Sequence, residues 1–298
     1  MKPLVYIILV NYKSYIDTIE CIESLRNVDY DNFKVVIIEN GSDDSSYEII
    51  KQKCITEIVI KSNKNLGFAG GNNIGIEIAM NDMADYILLL NNDTVVEKDF
   101  LTNLIETFSY SPNVGIVGCK INYYNKKDII NYGGGEIIWN KFTTTFFDTD
   151  KVDTNDTEIK DITFVSGCAM MISRSVVEKI GILDDSYFMY YEDTDYCARA
   201  LKAGFRLLYQ PKSKIYHKIS SSSGGNLSPF VLYWSTRNRH KFRKKFAENT
   251  SIFNRVYFDI FNFISRMIRI IIYILQGEKE KSKSILKGYI DGIKEDNK

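Results

Sequence analysis

Five cysteines, Cys21, Cys54, Cys119, Cys168 and Cys197, stand far apart with no C-x-x-C pair, so the chain lacks the usual signature of a zinc site or a dithiol redox centre. An odd, unpaired set fits a reducing compartment. The first crossover holds no G-x-G-x-x-G, and no G-x-x-x-x-G-K-[ST] occurs anywhere, which disfavours dinucleotide-dependent dehydrogenases and P-loop enzymes. Also missing is the glycine-rich, basic loop that normally follows the first strand of nucleotidyltransferases. No apolar run of about 20 residues is free of charge: the longest candidate, 254–275, is broken by Asp259, Arg266 and Arg269. The start, MKPLVYIILVNYKS, shows no small-residue cleavage site and reads as a first buried strand rather than a signal peptide. There is no internal repeat and no long linker.

Net charge is absent too, with 38 basic and 38 acidic residues, but the zero conceals an asymmetry. From residue 228 onward 15 Lys/Arg face 7 Asp/Glu, a local net of +8 that leaves −8 on the rest. A basic appendage of this kind suits an anionic surface such as phospholipid headgroups or a pyrophosphate-linked lipid. Within it RNRHKFRKKF (237–246) carries six Lys/Arg in nine residues, and 254–275 has the pattern of an interfacial helix. Charge alone also permits a nucleic-acid contact, but none is expected.

What the 298 residues do contain is ample material for a core, 45% hydrophobic and 13% aromatic, enough for one large α/β domain with an appendage. Continuous apolar runs at 4–10, 33–39, 57–61 and 85–90 read as strands buried on both faces. Helical-length segments separate most of them. One, 15–26, places Ile16, Ile19, Ile22 and Leu25 at helical spacing; another, 71–81, carries Ile74, Ile76, Ile78 and Ala79. This βαβ rhythm predicts a parallel sheet with right-handed crossovers. Beyond residue 112, VGIVGCKINYY and DITFVSGCAMMIS read as further strands, with loops or a small hairpin expected over 125–161. Helices are expected at 174–180 and 193–203, then short strands around FRLLYQ and SKIYH, then a helical remainder.

Ligands of open parallel sheets bind beyond the carboxyl ends of the strands. Every one of these ends is polar: VNY (10–12), ENGSDDSS (39–46), NKNLGFAGGNN (63–73) and NNDTVV (91–96). Such residues also make ordinary turns, but four in series on one edge point to a site. A carboxylate at the tip of a buried strand, Asp93, suits a divalent cation, or else caps a helix near Lys98. The glycines Gly67, Gly70 and Gly71 before a helix would let backbone amides approach a diphosphate. Glu192 and Asp193 either complement a helix N-terminus or, behind the aromatic run Tyr187, Phe188, Tyr190 and Tyr191, form a desolvated acid able to deprotonate an alcohol. Asp195 with Arg199 is an ordinary i,i+4 pair. His217, one of two histidines, ends a strand where it either packs or completes a metal shell. The KISSSSGG run after it (218–225) suits a mobile loop over a donor.

In this order VNY, ENGSDDSS, NLGFAGGNNIGI, LLLNNDTVV, SGCAMMISRSVVEKIG, FMYYEDTDYCARALKAGFRLLYQP and IYHKISSSSGG resemble the inverting glycosyltransferases of family 2, most closely the rhamnosyltransferase-like branch that builds bacterial surface polysaccharides. The resemblance covers about 4–243. It implies a GT-A fold, a Rossmann-like, mostly parallel central sheet flanked by helices, over 1–227, with a basic, amphipathic helical extension at 228–298. It implies a nucleotide-sugar pocket formed by Val10, Asn11, Tyr12, Glu39 and Asn40, by Asn65, Gly67, Phe68, Ala69 and Asn72, and by Asn91 and Asn92, with Gly167 near the donor sugar. Asp93 and His217 would hold Mg2+ or Mn2+, Asp193 would be the catalytic base, and Glu192 would orient acceptor or sugar. The usual Asp-x-Asp is Asn-Asn-Asp here, and Glu39 stands where relatives usually have aspartate. The implied reaction moves a sugar from a dTDP-rhamnose or UDP-hexose type of donor to a glycan or polyprenol-linked acceptor, at the cytoplasmic face of a membrane touched through the basic extension. The competing expectation is a catalytically weak or inactive sugar-nucleotide-binding relative.

Overall fold

A computed structural model describes residues 2–219 and 227–294. Two compact units emerge, Met1–Glu136 with Phe146–Phe188 and Glu192–Ile219, and Ile137–Thr145 with Met189–Tyr191 and Ser220–Lys298.

The first unit is α/β. Its chain runs β1 (Val5–Asn11), α1 (Tyr15–Leu25), β2 (Phe33–Glu39), α2 (Ser46–Lys53), β3 (Ile58–Lys61), α3 (Gly67–Asn81), β4 (Tyr86–Leu90), β5 (Thr94–Val96), α4 (Phe100–Thr107), β6 (Val114–Tyr123) and β7 (Lys126–Tyr132). A two-stranded ribbon follows, β8 (Gly135–Ile138) and β9 (Thr143–Phe146), whose Ile137–Thr145 portion is assigned to the second unit, and the first unit then continues with β10 (Lys160–Ile162), β11 (Ala169–Ser173), α5 (Arg174–Ile180), α6 (Glu192–Lys202) and β12 (Arg206–His217). The main sheet has the order β10-β12-β6-β11-β4-β1-β2-β3, with β5 paired to β12 and β7 to β6. Strands β3, β2, β1 and β4 are parallel, as their unbroken apolar runs require of strands covered on both faces. Ile7, Ile8, Ile37 and Leu88 are fully buried at its centre. Strand β11 is antiparallel to both β4 and β6, so the sheet is mostly, not wholly, parallel.

Several local expectations need correction. Helix α1 buries Thr18, Cys21, Ile22 and Leu25, while Ile16 is exposed: a face containing a small thiol and a hydroxyl won over the isoleucine row. Helix α3 begins at Gly67, so Gly70 and Gly71 lie inside it. Their lack of a side chain is used for packing: a Cβ on Gly71 would stand 2.9 Å from Val10 Cγ1, and one on Gly75 would stand 2.5 Å from Ile8 Cγ2. The single strand expected over DITFVSGCAMMIS is split into β10 and β11, and 125–161 contains most of four strands. The two short strands near the end are one strand, β12, bulged between Gln210 and Lys214.

The second unit is helical: α7 (Pro229–Lys245), α8 (Ile252–Leu275) and α9 (Lys279–Lys294). Helices α7 and α9 cross closely because Gly288 and Gly292 leave room for backbone, a Cβ at Gly288 falling 2.5 Å from the Tyr233 carbonyl. Tyr233 donates to Asp291 at 2.9 Å, and His240 meets Asn262 of α8 at 2.9 Å. Helix α8 is inverted relative to an ordinary surface helix. Phe258, Asn262 and Arg266, at i, i+4 and i+8, face inward, while Phe253, Tyr257, Ile260, Ile264, Ile268, Ile271 and Leu275 form an exposed apolar stripe. Among the described residues no helix is long and apolar enough to cross a membrane.

Candidate active site

The carboxyl ends of β1, β2 and β4 carry the polar residues singled out in the sequence. Asn11 and Glu39 are register partners on β1 and β2, and both are fully buried. Asn11 Oδ1 accepts from the Thr18 hydroxyl at 2.9 Å, and the same hydroxyl accepts from Asn92 Nδ2 at 2.9 Å. One Glu39 oxygen accepts from Ser42, through both its amide and its hydroxyl. The other oxygen, Oε2, and Asn11 Nδ2 are buried without a partner. Buried polar atoms are rarely left so; two on adjacent strand tips mark where a ligand's hydrogen-bonding groups would be received.

The loop ahead of α3 is organised by itself. Asn40 donates to Asn65 Oδ1 at 3.2 Å and to the Gly67 carbonyl at 3.0 Å, and it accepts from the Leu66 amide. Gly67 N donates to Asn65 Oδ1 at 2.8 Å. The amides of Phe68 and Ala69 donate to the Phe188 carbonyl at 2.7 and 3.4 Å, and Asn72 donates to the Phe68 carbonyl at 2.9 Å. The first amides of α3, expected to approach a diphosphate, are thus already engaged. Gly67, at φ +72°, has no alternative: a Cβ there would lie 2.2 Å from the Phe188 oxygen. Val10 packs on Gly71, and Tyr12 lies under the Lys13 ammonium at 5.5 Å.

Asp93 and His217 come together because β5 and β12 pair antiparallel, with His217 opposite Thr94. Asp93 Oδ1 and His217 Nε2 are 3.1 Å apart, and Asn91 Nδ2 is 3.4 Å from the same ring nitrogen. A strand, not a helix, follows Asp93, so the capping role lapses; Asp99 holds the cap position of α4. Burial opposes charging of His217, but Cys168 and Asp93 outweigh it and hold the imidazole well above its usual range. The pair fits a small hard cation: neighbouring ligand atoms of an octahedral ion with bonds of about 2.1 Å stand about 3 Å apart. Among the described residues no three His, Cys, Asp or Glu side chains cluster as a ready metal cage.

Asp193 opens α6. Its Oδ2 accepts from the Gly167 amide at 3.1 Å, and its Oδ1 accepts from the Thr194 amide at 2.7 Å. Burial raises its pKa, making the carboxyl a weaker acid, against the pull of those donors. Glu192 is buried with Oε2 unpartnered, and burial followed by the Asp193 charge pushes its carboxyl well above the usual range. Asp195 is structural: Arg199 Nε donates to it at 2.7 Å, and the same guanidinium holds the Ile180 and Ile182 carbonyls. Ahead of these acids Phe188, Tyr190 and Tyr191 all have φ between 62° and 74°. Side chains rarely tolerate that region, and such strain gathers at functional sites.

Two neighbours in sequence connect the halves of the site. Gly167 holds Asp193, and a Cβ on it would meet the Phe68 ring at 3.2 Å. Cys168, next along, accepts the Asn91 amide through its carbonyl at 2.8 Å and sits against His217. Cys168 was not among the sequence candidates; only its place after Gly167 could have flagged it. All five cysteines are free and buried. A cavity of about 560 Å³, lined by Tyr123, Tyr124, Lys126, Asp150 and others, reaches His217 and Lys218 but not Asp193. Most of the Ser/Gly run read as a loop over a donor, 220–225, lies outside the described residues.

The sequence profile described as "Glycosyl transferase family 2" matches residues 6–181. The chain is similar to the low-salt glycan biosynthesis hexosyltransferase Agl10 of Haloferax volcanii, 28% identical over 84% of this chain and 76% of the relative. It is similar to the dTDP-rhamnosyl transferase RfbF of Shigella flexneri, 26% identical over 80% and 79%. A poly-beta-1,6-N-acetyl-D-glucosamine synthase of Staphylococcus aureus is 27% identical over 70% of this chain, which spans only 48% of that protein. In fold it resembles the mannosyltransferase PcManGT of Pyrobaculum calidifontis, solved with GDP-Man and Mn2+, at TM-score 0.62 and 11% identity over 98% of this chain and 88% of that one. It likewise resembles GalNAc-T7, solved with UDP, GalNAc and Mn2+, at TM-score 0.61 and 15% identity over 82% and 54%.

Proposed function

The chain belongs to glycosyltransferase family 2 and has the GT-A fold, and from that premise we propose that it transfers a sugar from a nucleotide diphosphate sugar to a hydroxyl of a glycan or lipid-linked acceptor, with inversion. The observation that carries the reading is the linkage of Asp193, through Gly167 and Cys168, to the Asp93–His217 pair. Asn11 and Glu39 offer their open valences to the nucleoside. Asp193, its carboxyl made more basic by burial, takes the proton of the acceptor hydroxyl as that oxygen attacks the anomeric carbon from the face opposite the leaving group. Glu192, its carboxyl raised by burial and by the Asp193 charge, orients acceptor or sugar. Asp93 and His217 are the residues to hold Mg2+ or Mn2+, which when bound supplies neutralisation of the diphosphate charge. The donor proposed is of the dTDP-rhamnose or UDP-hexose type, in keeping with the similarity to both RfbF and the hexosyltransferase Agl10.

The test is a thermal-shift screen of nucleotide diphosphate sugars with and without manganese, followed by transfer assays. Selective stabilisation by one nucleotide is expected; indifference to all of them would remove the donor reading. Donor hydrolysis that stays at background even with manganese would leave the weak or inactive relative standing.

The acceptor is proposed to lie at the inner face of a membrane. Support comes from α8, whose outward apolar stripe sits in a segment of net charge +8, which complements anionic lipid. Binding to vesicles containing phosphatidylglycerol is expected, with loss on Ile264→Asn with Ile268→Asn. A stripe that instead joins two copies would show as a dimer dissolved by the same pair.

A further inference from the structure

Arg266 is buried, at 8% exposure, on the inward side of α8. Among the described residues no carboxylate or carbonyl accepts from it, and its Nε is wholly enclosed without a partner. An unpaired buried guanidinium is costly, and natural proteins keep one only where something else completes it. Its surroundings make matters worse rather than better. Arg269 is one turn further along the helix, on its exposed side but near enough for its charge to act on Arg266. Arg239, on α7, lies over the Phe258 ring at 5.1 Å, two turns before Arg266, and spends its Nε and Nη2 on the Lys141 carbonyl at 3.0 and 2.5 Å. Neither Arg239 nor Arg269 has a carboxylate partner among the described residues. Burial first, then the Arg239 and Arg269 charges, bring the Arg266 guanidinium down to about 10.

The cluster is framed, not loose. Phe142, at φ 45°, turns the chain so that the Lys141 carbonyl receives Arg239 and the Phe142 carbonyl receives the Tyr191 hydroxyl at 3.1 Å. The Phe142 and Phe258 rings meet edge to face at 5.0 Å. Elsewhere on the same helices Arg243 has its acid, Asp259. Arg266, Arg239 and Arg269 share this corner without an acid among the described residues, beside Tyr191, which the chain follows with Glu192.

We propose that Arg266, with Arg239 and Arg269, forms a binding site for a phosphate or diphosphate group carried by the acceptor. Guanidinium groups match phosphate oxygens in paired hydrogen bonds, and several cations suit a multiply charged anion better than a single carboxylate. The identity of the anion as part of the acceptor rests on the glycosyl-transfer reading; the anion binding itself does not.

The full chain is titrated calorimetrically with inorganic pyrophosphate and with a short-chain prenyl diphosphate, chelator present so that the Asp93–His217 pair is out of play. Both probes bind, and Asp93→Asn leaves their affinities unchanged. Arg266→Met weakens both by about tenfold or more, the effect of losing a charge-assisted hydrogen bond, while its melting temperature without ligand is equal or higher, because a buried unpaired charge is gone. Arg269→Gln, on the exposed side, gives a smaller loss in the same direction and serves if Arg266→Met does not fold. Tighter binding of the prenyl probe identifies a lipid carrier; equal binding identifies a soluble phosphate ester. Failure of both probes to bind, or equal affinity for wild type and both arginine variants, overturns the site. Asp193→Asn that abolishes transfer while probe binding persists separates this proposal from the catalytic one.

Discussion

The α/β unit and the helical unit solve the problem of burial in opposite ways. In the first, apolar strands such as β1 and β4 are enclosed and the unsatisfied buried polar atoms include Asn11, Glu39 and Glu192, all at the proposed site. In the second, Phe253 and Leu275 are 82% and 81% exposed, while Asn262 and Arg266 are turned inward, and the unsatisfied atoms include the Nε of Arg243, Arg255 and Arg266. The sign of charge reverses as well, residues 228–298 carrying +8 and the rest −8. The first unit hides its apolar side chains and gathers polar and acidic groups at strand tips, the pattern on which the proposed transfer chemistry rests. The second exposes its apolar side chains and turns arginines inward, the pattern on which the proposed membrane contact rests.

The comparison is broken most directly at Asp193. Asp193→Asn should lower transfer by about 10² to 10⁴-fold with nucleotide binding and vesicle binding intact; normal turnover would place the chemistry elsewhere. Two residues on, Asp195→Asn should cost about 3 kcal/mol of unfolding free energy in urea titration, because it strands the part-buried Arg199, and any loss of rate should track the loss of folded protein. Gly67→Ala should cost about 2 kcal/mol by the same measurement, since it combines a positive φ with a collision against the Phe188 carbonyl. On the other side, Ile264→Asn with Ile268→Asn should weaken vesicle binding by about tenfold or more while leaving donor hydrolysis unchanged; a parallel loss of hydrolysis would show that the division of labour is false.

The smallest effect concerns pH. Glu192 has its carboxyl raised in the folded state, so folding is favoured below the unfolded carboxylate range near pH 4 and that contribution is lost as pH rises toward the folded value. Glu192→Gln should therefore remove a decline in stability above about pH 4, seen as a melting temperature that changes less between pH 5 and 8 than in the wild type. A variant with the wild-type slope would mean that Glu192 ionises without penalty.

Much of this was legible before any coordinates. Four unbroken apolar runs specified parallel strands, because only a sheet covered on both faces tolerates them, and the polar residues at their ends marked the edge where the site is proposed. The packing of Gly71 against Val10 and of Gly75 against Ile8 was not legible, since it is visible only when the partner strand is known. The inward Arg266 could not be read at all, since the periodicity of α8 gives an apolar face and a charged face without saying which one meets protein.

Composition and pattern by themselves determined the class of fold, the order of its elements, the basic character of the final segment and the kind of residue at each strand tip, because these follow from local periodicity and from where charge can be tolerated. Tertiary structure alone decided which of those residues meet. Asp93 reaches His217 through the antiparallel pairing of β5 with β12, and Asp193 reaches Gly167 across the fold. Such contacts depend on register and chain reversal between segments far apart in sequence, and no local pattern encodes them.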